Sequence, residues 1–297
     1  MKIYVDGAFY SKEDAKVSVF DHGFLYGDGV FEGIRAYDGS VFRLKDHIDR
    51  LYQSARTLAL TIPFTPEQMT QAVLDTVAAN EKRDAYIRLI VSRGPGDLGI
   101  DPANCSTPTI VIICAEIKLY PKALYETGAS IVTSSVRRIP IQCLDPRIKS
   151  LNYLNNIMAK LDARRAGALE AVMLNHQGRV AECTADNIFF FAGGVLRTPD
   201  LMNGALPGIT RATVLELGAE MGLPTEEGNY GLHDLYNADE CFLTGTGAEI
   251  MPVITVDGRP VGTGKPGPTT KKLLDAFRIR RTQDGTPVPY AVGVAKS

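Results

Sequence analysis

The residues best placed for covalent chemistry lie in RIKSLNYLNN, Arg147 to Asn156. Lys149 stands there beside Ile148 and close to Leu151, just before a predicted helix. Partial burial of an amine lowers its pKa and frees its lone pair to attack a carbonyl. A lysine among apolar residues also commonly snorkels its ammonium into water, so this pattern alone leaves both readings open. Three further stretches bear on the choice. VAECTADNIFFF carries a lone carboxylate, Glu182, ahead of an apolar strand; LPGITR puts Pro207-Gly208 and Thr210 at a helix start; FLTGTGAEI ends a strand in a Gly-Thr-Gly turn. Amides and a hydroxyl at a helix start favour an anion. Each stretch has an ordinary reading too, as a hairpin charge, an N-cap at Thr210 and a plain loop. Together with Arg50 on the first long helix they form the set that a pyridoxal phosphate enzyme needs. The lysine makes the Schiff base, the carboxylate keeps the ring nitrogen protonated, and the turns hold the phosphate.

The elements that must position these residues follow from periodicity. KIYVDG and AKVSVF alternate like strands, and VFEGIRAYDG followed by VFRL reads as a hairpin turning at Asp38-Gly39. Leu44, Ile48, Leu51, Ala55 and Leu58 recur at helical spacing, and Pro66 opens a second helix with Met69, Val73 and Val77. AYIRLIVSRG is a strand with Tyr86, Arg88 and Ile90 on one face, and TPTIVIICA reads as a strand buried on both sides. The polar segment EIKLYPKALYETG is the candidate linker. Beyond it come the strand ASIVTSSV, a helix from about Asn152 to Gly167, a hairpin at NHQG and the strand NIFFF. A helix after LPGIT, the strand ECFLTG, a hairpin at Asp257-Gly258 and a helix from Pro268 to Arg280 complete the chain, and TQDGTPVPYAVGVAKS reads as a loose tail. The expected organisation is an N-terminal small domain over 1–117, an interdomain linker or lid over 118–128, and a C-terminal large domain over 129–297.

Composition narrows the function. The 297 residues hold 32 Lys plus Arg against 34 Asp plus Glu, a balance that gives no electrostatic reason to expect nucleic acid or an anionic membrane as partner. The five cysteines are widely spaced, include no Cys-x-x-Cys pair and fit reduced thiols. No export signal or membrane-length apolar run is visible, so a cytoplasmic location is expected. The four histidines show no metal-ligand spacing, and no metal site is expected.

At the residues just named, the chain resembles the class IV aminotransferases of pyridoxal phosphate fold type IV, and within them the branched-chain amino acid aminotransferases. The match runs from VSVFDHGFLYGDGVFEGIRAYDG through HIDRL, AYIRL, IKSLNYLNN, AECTADNIF and LPGITR to TGTGAEI and VDGRPVG. The resemblance implies an α+β fold, with a smaller N-terminal α/β sandwich domain and a larger C-terminal β-barrel-like domain carrying helices. It implies pyridoxal 5′-phosphate as cofactor and amino acids and 2-oxo acids as substrates. Lys149 corresponds to the Schiff-base lysine, Tyr153 to the partner of the ring hydroxyl oxygen, and Glu182 to the carboxylate on the pyridine nitrogen. Arg50, Ile209, Thr210 and Thr246 correspond to phosphate binders, and Leu206 to the residue packed on the ring face. Tyr86 and the turn Thr246-Gly247-Ala248, where Gly247 replaces the family's common alanine, correspond to the holders of the substrate α-carboxylate. Arg88 is the natural partner for a distal carboxylate when glutamate is bound. Tyr26, Phe31 and Tyr153 supply aromatic wall, and Gly33 leaves room for a branched side chain. Leu98 and Ile100 match a loop that reaches in from a neighbouring subunit, so a homodimer or higher oligomer is implied. The segment Leu119 to Tyr125 is the expected mobile lid.

Three rivals share parts of this pattern. A D-amino acid aminotransferase commonly carries an Arg-x-His carboxylate trap after the strand corresponding to AYIRLIVSRG, where this chain has GPGDLGID and no histidine. 4-Amino-4-deoxychorismate lyase shares the lysine and the glutamate, while YGDGVFEGIR and YIR favour the branched-chain type. A non-catalytic binding module has no chemical reason to hold Lys149 and Glu182 together.

Overall fold

A computed structural model of the protein describes residues 1–116 and 120–290. The described chain divides into two compact units, the first made of residues 1–116, 148–152 and 281–290 and the second of residues 120–147 and 153–280.

In the first unit, β1 (Lys2–Val5) and β2 (Ala8–Ser11) form a hairpin. The short helix α1 (His22–Tyr26) starts on Asp21, whose carboxylate accepts from the Gly23 amide. The hairpin β3 (Gly29–Tyr37) and β4 (Ser40–Phe42) turns at Asp38-Gly39, where both residues have positive φ, as a tight hairpin turn requires. Helix α2 (Leu44–Thr57) follows, then α3 (Pro66–Ala79), which opens with a capping box between Thr65 and Gln68. Strands β5 (Ala85–Ser92) and β6 (Thr109–Ala115) complete the sheet on their side. One sheet face supplies Val30, Ile34, Ile87, Leu89, Val91 and Ile112 to the core, and the two helices supply Leu44, Ile48, Leu51, Met69, Val73 and Val77. Burying each of these side chains stabilises by roughly 1.5–3 kcal/mol relative to leaving it exposed.

The second unit contains α4 (Ala123–Thr127), β7 (Ala129–Thr133), α5 (Leu154–Arg165), β8 (Glu170–Leu174), β9 (Val180–Cys183), β10 (Asn187–Ala192) and β11 (Val195–Pro199). It continues with α6 (Ile209–Glu220), β12 (Thr225–Gly228), α7 (Leu232–Tyr236), β13 (Glu240–Gly245), β14 (Glu249–Val256), β15 (Arg259–Pro260) and α8 (Pro268–Gln283). Its nine strands form one sheet in the order β12-β11-β10-β13-β14-β7-β8-β9, with β15 paired to β14. The start of α8 is capped by the Glu240 carboxylate, which accepts from the Thr269 and Thr270 amides and the Thr270 hydroxyl. Finally β16 (Gly285–Pro287) pairs antiparallel with β4, so the first sheet runs β16-β4-β3-β5-β6-β1-β2.

Several expectations change. AKVSVF is not a strand, and its Val17, Val19 and Phe20 are exposed. TPTIVIICA alternates buried and half-buried positions rather than being covered on both sides, because β6 turns one face to the helices and core. The segment read as a tail carries β16, whose ladder bonds to β4 fix it. Within the linker sequence EIKLYPKALYETG, residues 120–128 include α4, and the Tyr125 hydroxyl donates to the Ala248 carbonyl at 2.9 Å. The lid expected from Leu119 begins at a residue outside those described.

Candidate active site

The strand register of the first unit sorts the candidate residues by face. Phe31, Gly33 and Arg35 of β3 lie opposite Ile90, Arg88 and Tyr86 of β5, so all six share the face turned away from the core. The Arg88 guanidinium donates to the Tyr86 hydroxyl at 3.1 Å and lies 4.5 Å from the Phe31 ring centroid. A Cβ built on Gly33 would sit 2.1 Å from the Tyr86 hydroxyl oxygen. The space over Gly33 is therefore taken by the phenol, which corrects the expectation that this glycine directly accommodates a branched substrate.

The Lys149 segment is tied to the same strand. The Phe31 amide donates to the Lys149 carbonyl and the Leu151 amide to the Gly29 carbonyl, both at 2.9 Å, and the Lys149 amide donates to the Ser54 hydroxyl of α2 at 3.2 Å. The half-buried Lys149 ammonium lies 4.8 Å from the Phe31 ring centroid, within cation–π range.

On the core face of β3, between Val30 and Ile34, lies Glu32, fully buried with His47 and Arg50 of α2. Arg50 grips the carboxylate at both ends, Nε to Oε1 and Nη2 to Oε2 at 2.7 Å each, and His47 Nδ1 lies 2.8 Å from Oε2. Burial alone would raise the Glu32 pKa, yet Arg50 and His47 outweigh it and hold the carboxyl far below the usual range. Burial lowers the pKa of His47, against the opposing pull of Glu32. A neutral His47 then donates through Nδ1.

Tyr26 is brought to a different place. Its hydroxyl donates to the Leu98 carbonyl at 2.5 Å and its ring meets His22 edge-on, while His22 Nε2 lies 2.9 Å from the Asp97 carbonyl. This corner exposes 69% of Leu98 and 81% of Ile100.

The second unit gathers the other candidates. Glu182, on β9, is buried, and Arg138 Nη2 donates to its Oε1 at 2.7 Å. Its Oε2 accepts from Asn187 Nδ2 at 3.0 Å and from the Leu206 amide at 2.9 Å. Arg138 is itself fixed by the Gly204 carbonyl and Asn156. Asn187 also donates to the Leu206 carbonyl, which ties the LPGIT turn to β10. Helix α6 begins at Ile209 behind Gly208, which offers no side-chain cap, so the start is open to an anion and Thr210 is not the N-cap. A Cβ on Gly208 would meet Asn187 Oδ1 at 2.1 Å, so only glycine lets the asparagine pass. Thr210 is buried, and Tyr153 immediately precedes α5. Gly245 pairs with Glu249, which makes Thr246-Gly247-Ala248 the three-residue connection from β13 to β14. The hydroxyl of Thr244, on the last turnward stretch of β13, is buried and has no hydrogen-bond partner among the described residues.

Beside this group Asp186 is wholly buried, and burial together with Glu170 pushes its carboxyl up to about 7, against the lowering pull of Lys160. The Tyr120 hydroxyl donates to Asp186 at 3.5 Å. Burial also pushes the Cys183 thiol well above its ordinary range, which removes the thiolate that oxidation sensing requires. Among the described residues no His, Cys, Asp and Glu cluster could hold a metal, and no helix is long and apolar enough to cross a membrane.

Sequence reasoning passed over Glu32, His47, Arg138, Asn187 and Asp186. Glu32 had a signal: a glutamate at a core register of a strand, followed by His47 and Arg50 three apart on one helix face. Arg138 had none, since its partner Glu182 is 44 residues away.

The sequence matches the class IV amino-transferase family over residues 29–256. A Methanocaldococcus jannaschii protein provisionally named a branched-chain-amino-acid aminotransferase is 54% identical over 288 residues, 97% of this chain and 99% of that one. The T.th. branched-chain amino acid aminotransferase solved with pyridoxamine 5′-phosphate superposes with a TM-score of 0.92 at 36% identity, covering 97% of this chain and 98% of that one. The same enzyme complexed with N-(5′-phosphopyridoxyl)-L-glutamate gives 0.91 at 37% identity over 97% and 98%. The α+β fold, the order of the motifs and these likenesses agree, and the chain belongs to the class IV aminotransferases.

Proposed function

We propose that this chain is a transaminase moving the amino group between the branched-chain L-amino acids leucine, isoleucine and valine and 2-oxoglutarate, with pyridoxal 5′-phosphate as cofactor. The observation that carries the chemistry is Glu182, a buried carboxylate held by one guanidinium and two N–H donors. Such a group is suited to keeping a proton on a ring nitrogen. The uncapped start of α6 and the Thr244 hydroxyl, unpartnered among the described residues, suit a phosphate. The name of the Methanocaldococcus jannaschii relative and the ligands of the T.th. enzyme structures support the choice of substrate and cofactor.

When bound, pyridoxal 5′-phosphate supplies an aldehyde that condenses with amines and a ring that accepts the electron pair left at the substrate Cα. Lys149 would hold the group at its aldehyde carbon, and its amine would carry the proton at the substrate Cα. Glu182 holds the ring-nitrogen proton, Tyr153 hydrogen-bonds the ring hydroxyl oxygen, and Leu206 packs on the ring. Arg50, Ile209, Thr210 and Thr246 bind the phosphate. Tyr86 and the amides of Thr246-Gly247-Ala248 hold the substrate α-carboxylate, and Arg88 the distal carboxylate of glutamate. Phe31 and Tyr26 form aromatic wall, and Gly33 acts by seating the Tyr86 phenol. Leu98 and Ile100 enter the site of a second copy of the chain, and the exposed apolar stripe Leu154, Ile157, Met158 and Leu161 on α5 gives that copy further surface to cover. The unpaired cysteines suit a cytoplasmic setting.

Turnover of L-leucine, L-valine and L-isoleucine with 2-oxoglutarate, set against D-alanine and D-glutamate, tests the reading. Faster reaction of a D-substrate refutes it.

A further inference from the structure

Glu32 and His47, buried together with Arg50, have no role in the reaction as described so far. The three come from two elements, β3 and α2, and their burial is nearly complete, with exposures of 0%, 1% and 6%. An ion pair so deep repays desolvation only when geometry is close to ideal, and an apolar trio of similar volume is often as stable. A bidentate guanidinium–carboxylate fork with a third donor fixes direction more than it adds stability. The fork occupies the Nε and Nη2 edge of Arg50 and so sets the plane of the guanidinium. His47 locks the carboxylate from the side, by donating to the same Oε2 that Arg50 Nη2 uses. The neighbour of Glu32 on β3 is Phe31, whose amide binds the Lys149 carbonyl and whose ring lies against the Lys149 ammonium. Two adjacent residues of one strand thus fix the arginine from one face and the lysine from the other.

We infer that Glu32 is a positioning residue for phosphate recognition: it aims the Arg50 guanidinium, with His47 holding the carboxylate in place. This rests on the reading above that Arg50 binds the phosphate of the cofactor. Arginine outranks lysine at such a site because its planar fork can be oriented by a carboxylate, where an ammonium is a point charge.

The test is a binding measurement. Apoproteins of the wild type, Glu32→Gln, Arg50→Gln and the double variant are titrated with pyridoxal 5′-phosphate and, separately, with pyridoxal, following the change in absorbance. Pyridoxal forms the same bond to Lys149 and lacks only the phosphate. The wild type is expected to prefer the phosphorylated ligand strongly. Glu32→Gln should lower that preference by about tenfold or more while leaving pyridoxal affinity in place, because only a charge-assisted contact is misdirected. In the double variant, which leaves no unpaired buried charge and so keeps the fold testable, Glu32→Gln should have no further effect beyond Arg50→Gln. A purely structural role for Glu32 predicts equal loss for both ligands, or additive effects on the preference, and either outcome overturns the inference. A wild-type apoprotein that binds neither ligand refutes the cofactor reading and the inference with it; a wild type that discriminates beside a Glu32→Gln that discriminates equally well refutes the inference alone.

Discussion

Each unit buries carboxylates among polar partners, and the outcomes are opposite. In the first, Glu32 is fully buried yet held far below the ordinary range, because Arg50 and His47 converge on both its oxygens. In the second, Asp186 is also buried yet pushed up to about 7, because burial is reinforced by the neighbouring Glu170 and Glu182, and the pull of Lys160 and of the Tyr120 hydroxyl does not offset them. Burial is common to both; the company decides the charge. Glu182 is partnered in the manner of Glu32, with Arg138 and two N–H donors on its oxygens. The second unit therefore keeps two differently partnered carboxyls close together in the chain, and the proposed reaction uses the one held by Arg138.

The contrast breaks most severely at Arg138. Arg138→Met strips Glu182 of its counter-charge inside the protein, and a loss of about 3–5 kcal/mol is expected in chemical denaturation. Arg138→Met with Glu182→Leu should recover most of it; a double variant no more stable than the single one argues that packing by Arg138, not charge, was lost. Next come two opposite pH slopes. His47 has a lowered pKa in the folded state, so its contribution is present above the unfolded value near 6.5 and is lost as pH falls below it. Asp186 has a raised one, so its contribution is present below the unfolded value near 3.9 and is lost as pH rises toward about 7. Denaturation followed from pH 4 to 7 should show Asp186→Asn removing a fall of about 1 kcal/mol per pH unit, and His47→Asn removing a shallower rise. Slopes unchanged by either variant would show that these groups do not titrate on unfolding. The smallest effect is expected from the exposed Lys45–Asp49 pair of α2, where Lys45→Ala should leave the denaturation midpoint where it is.

Much of the fold was legible because its signals are local. The periodicity of Leu44 to Leu58 and the Asp38-Gly39 turn each specify their element without help from elsewhere. Lys149, Glu182 and Thr210 each stood out through a motif rather than through a partner in space. AKVSVF misled because alternation only shows that one face can be buried, and no described strand lies beside it to accept its ladder. The tail misled for the opposite reason: Gly285–Pro287 has weak strand propensity, and the edge of β4 makes the strand. Gly33 was placed in the right strand and given the wrong neighbour, since nothing local tells a glycine that a phenol from two residues along the opposite strand will fill its space. Arg138 and Asp186 owe their importance to partners distant in the chain or to burial, which single-residue reading does not register.

The chain passes from one unit to the other and back twice, with Ile148–Asn152 and then β16 belonging to the first. The order of synthesis therefore differs from the order of completion. When the first 116 residues have emerged from a ribosome, the first unit has its helices and most of its sheet, but neither its lysine nor its outer strand. It must wait for almost the whole chain before its edge is closed, and until then β4 offers an unpaired ladder to any strand that reaches it. A dissection at residue 117 would yield a fragment lacking the amine on which the proposed chemistry depends. The boundary useful to an engineer is set by the return of the chain rather than by its first departure.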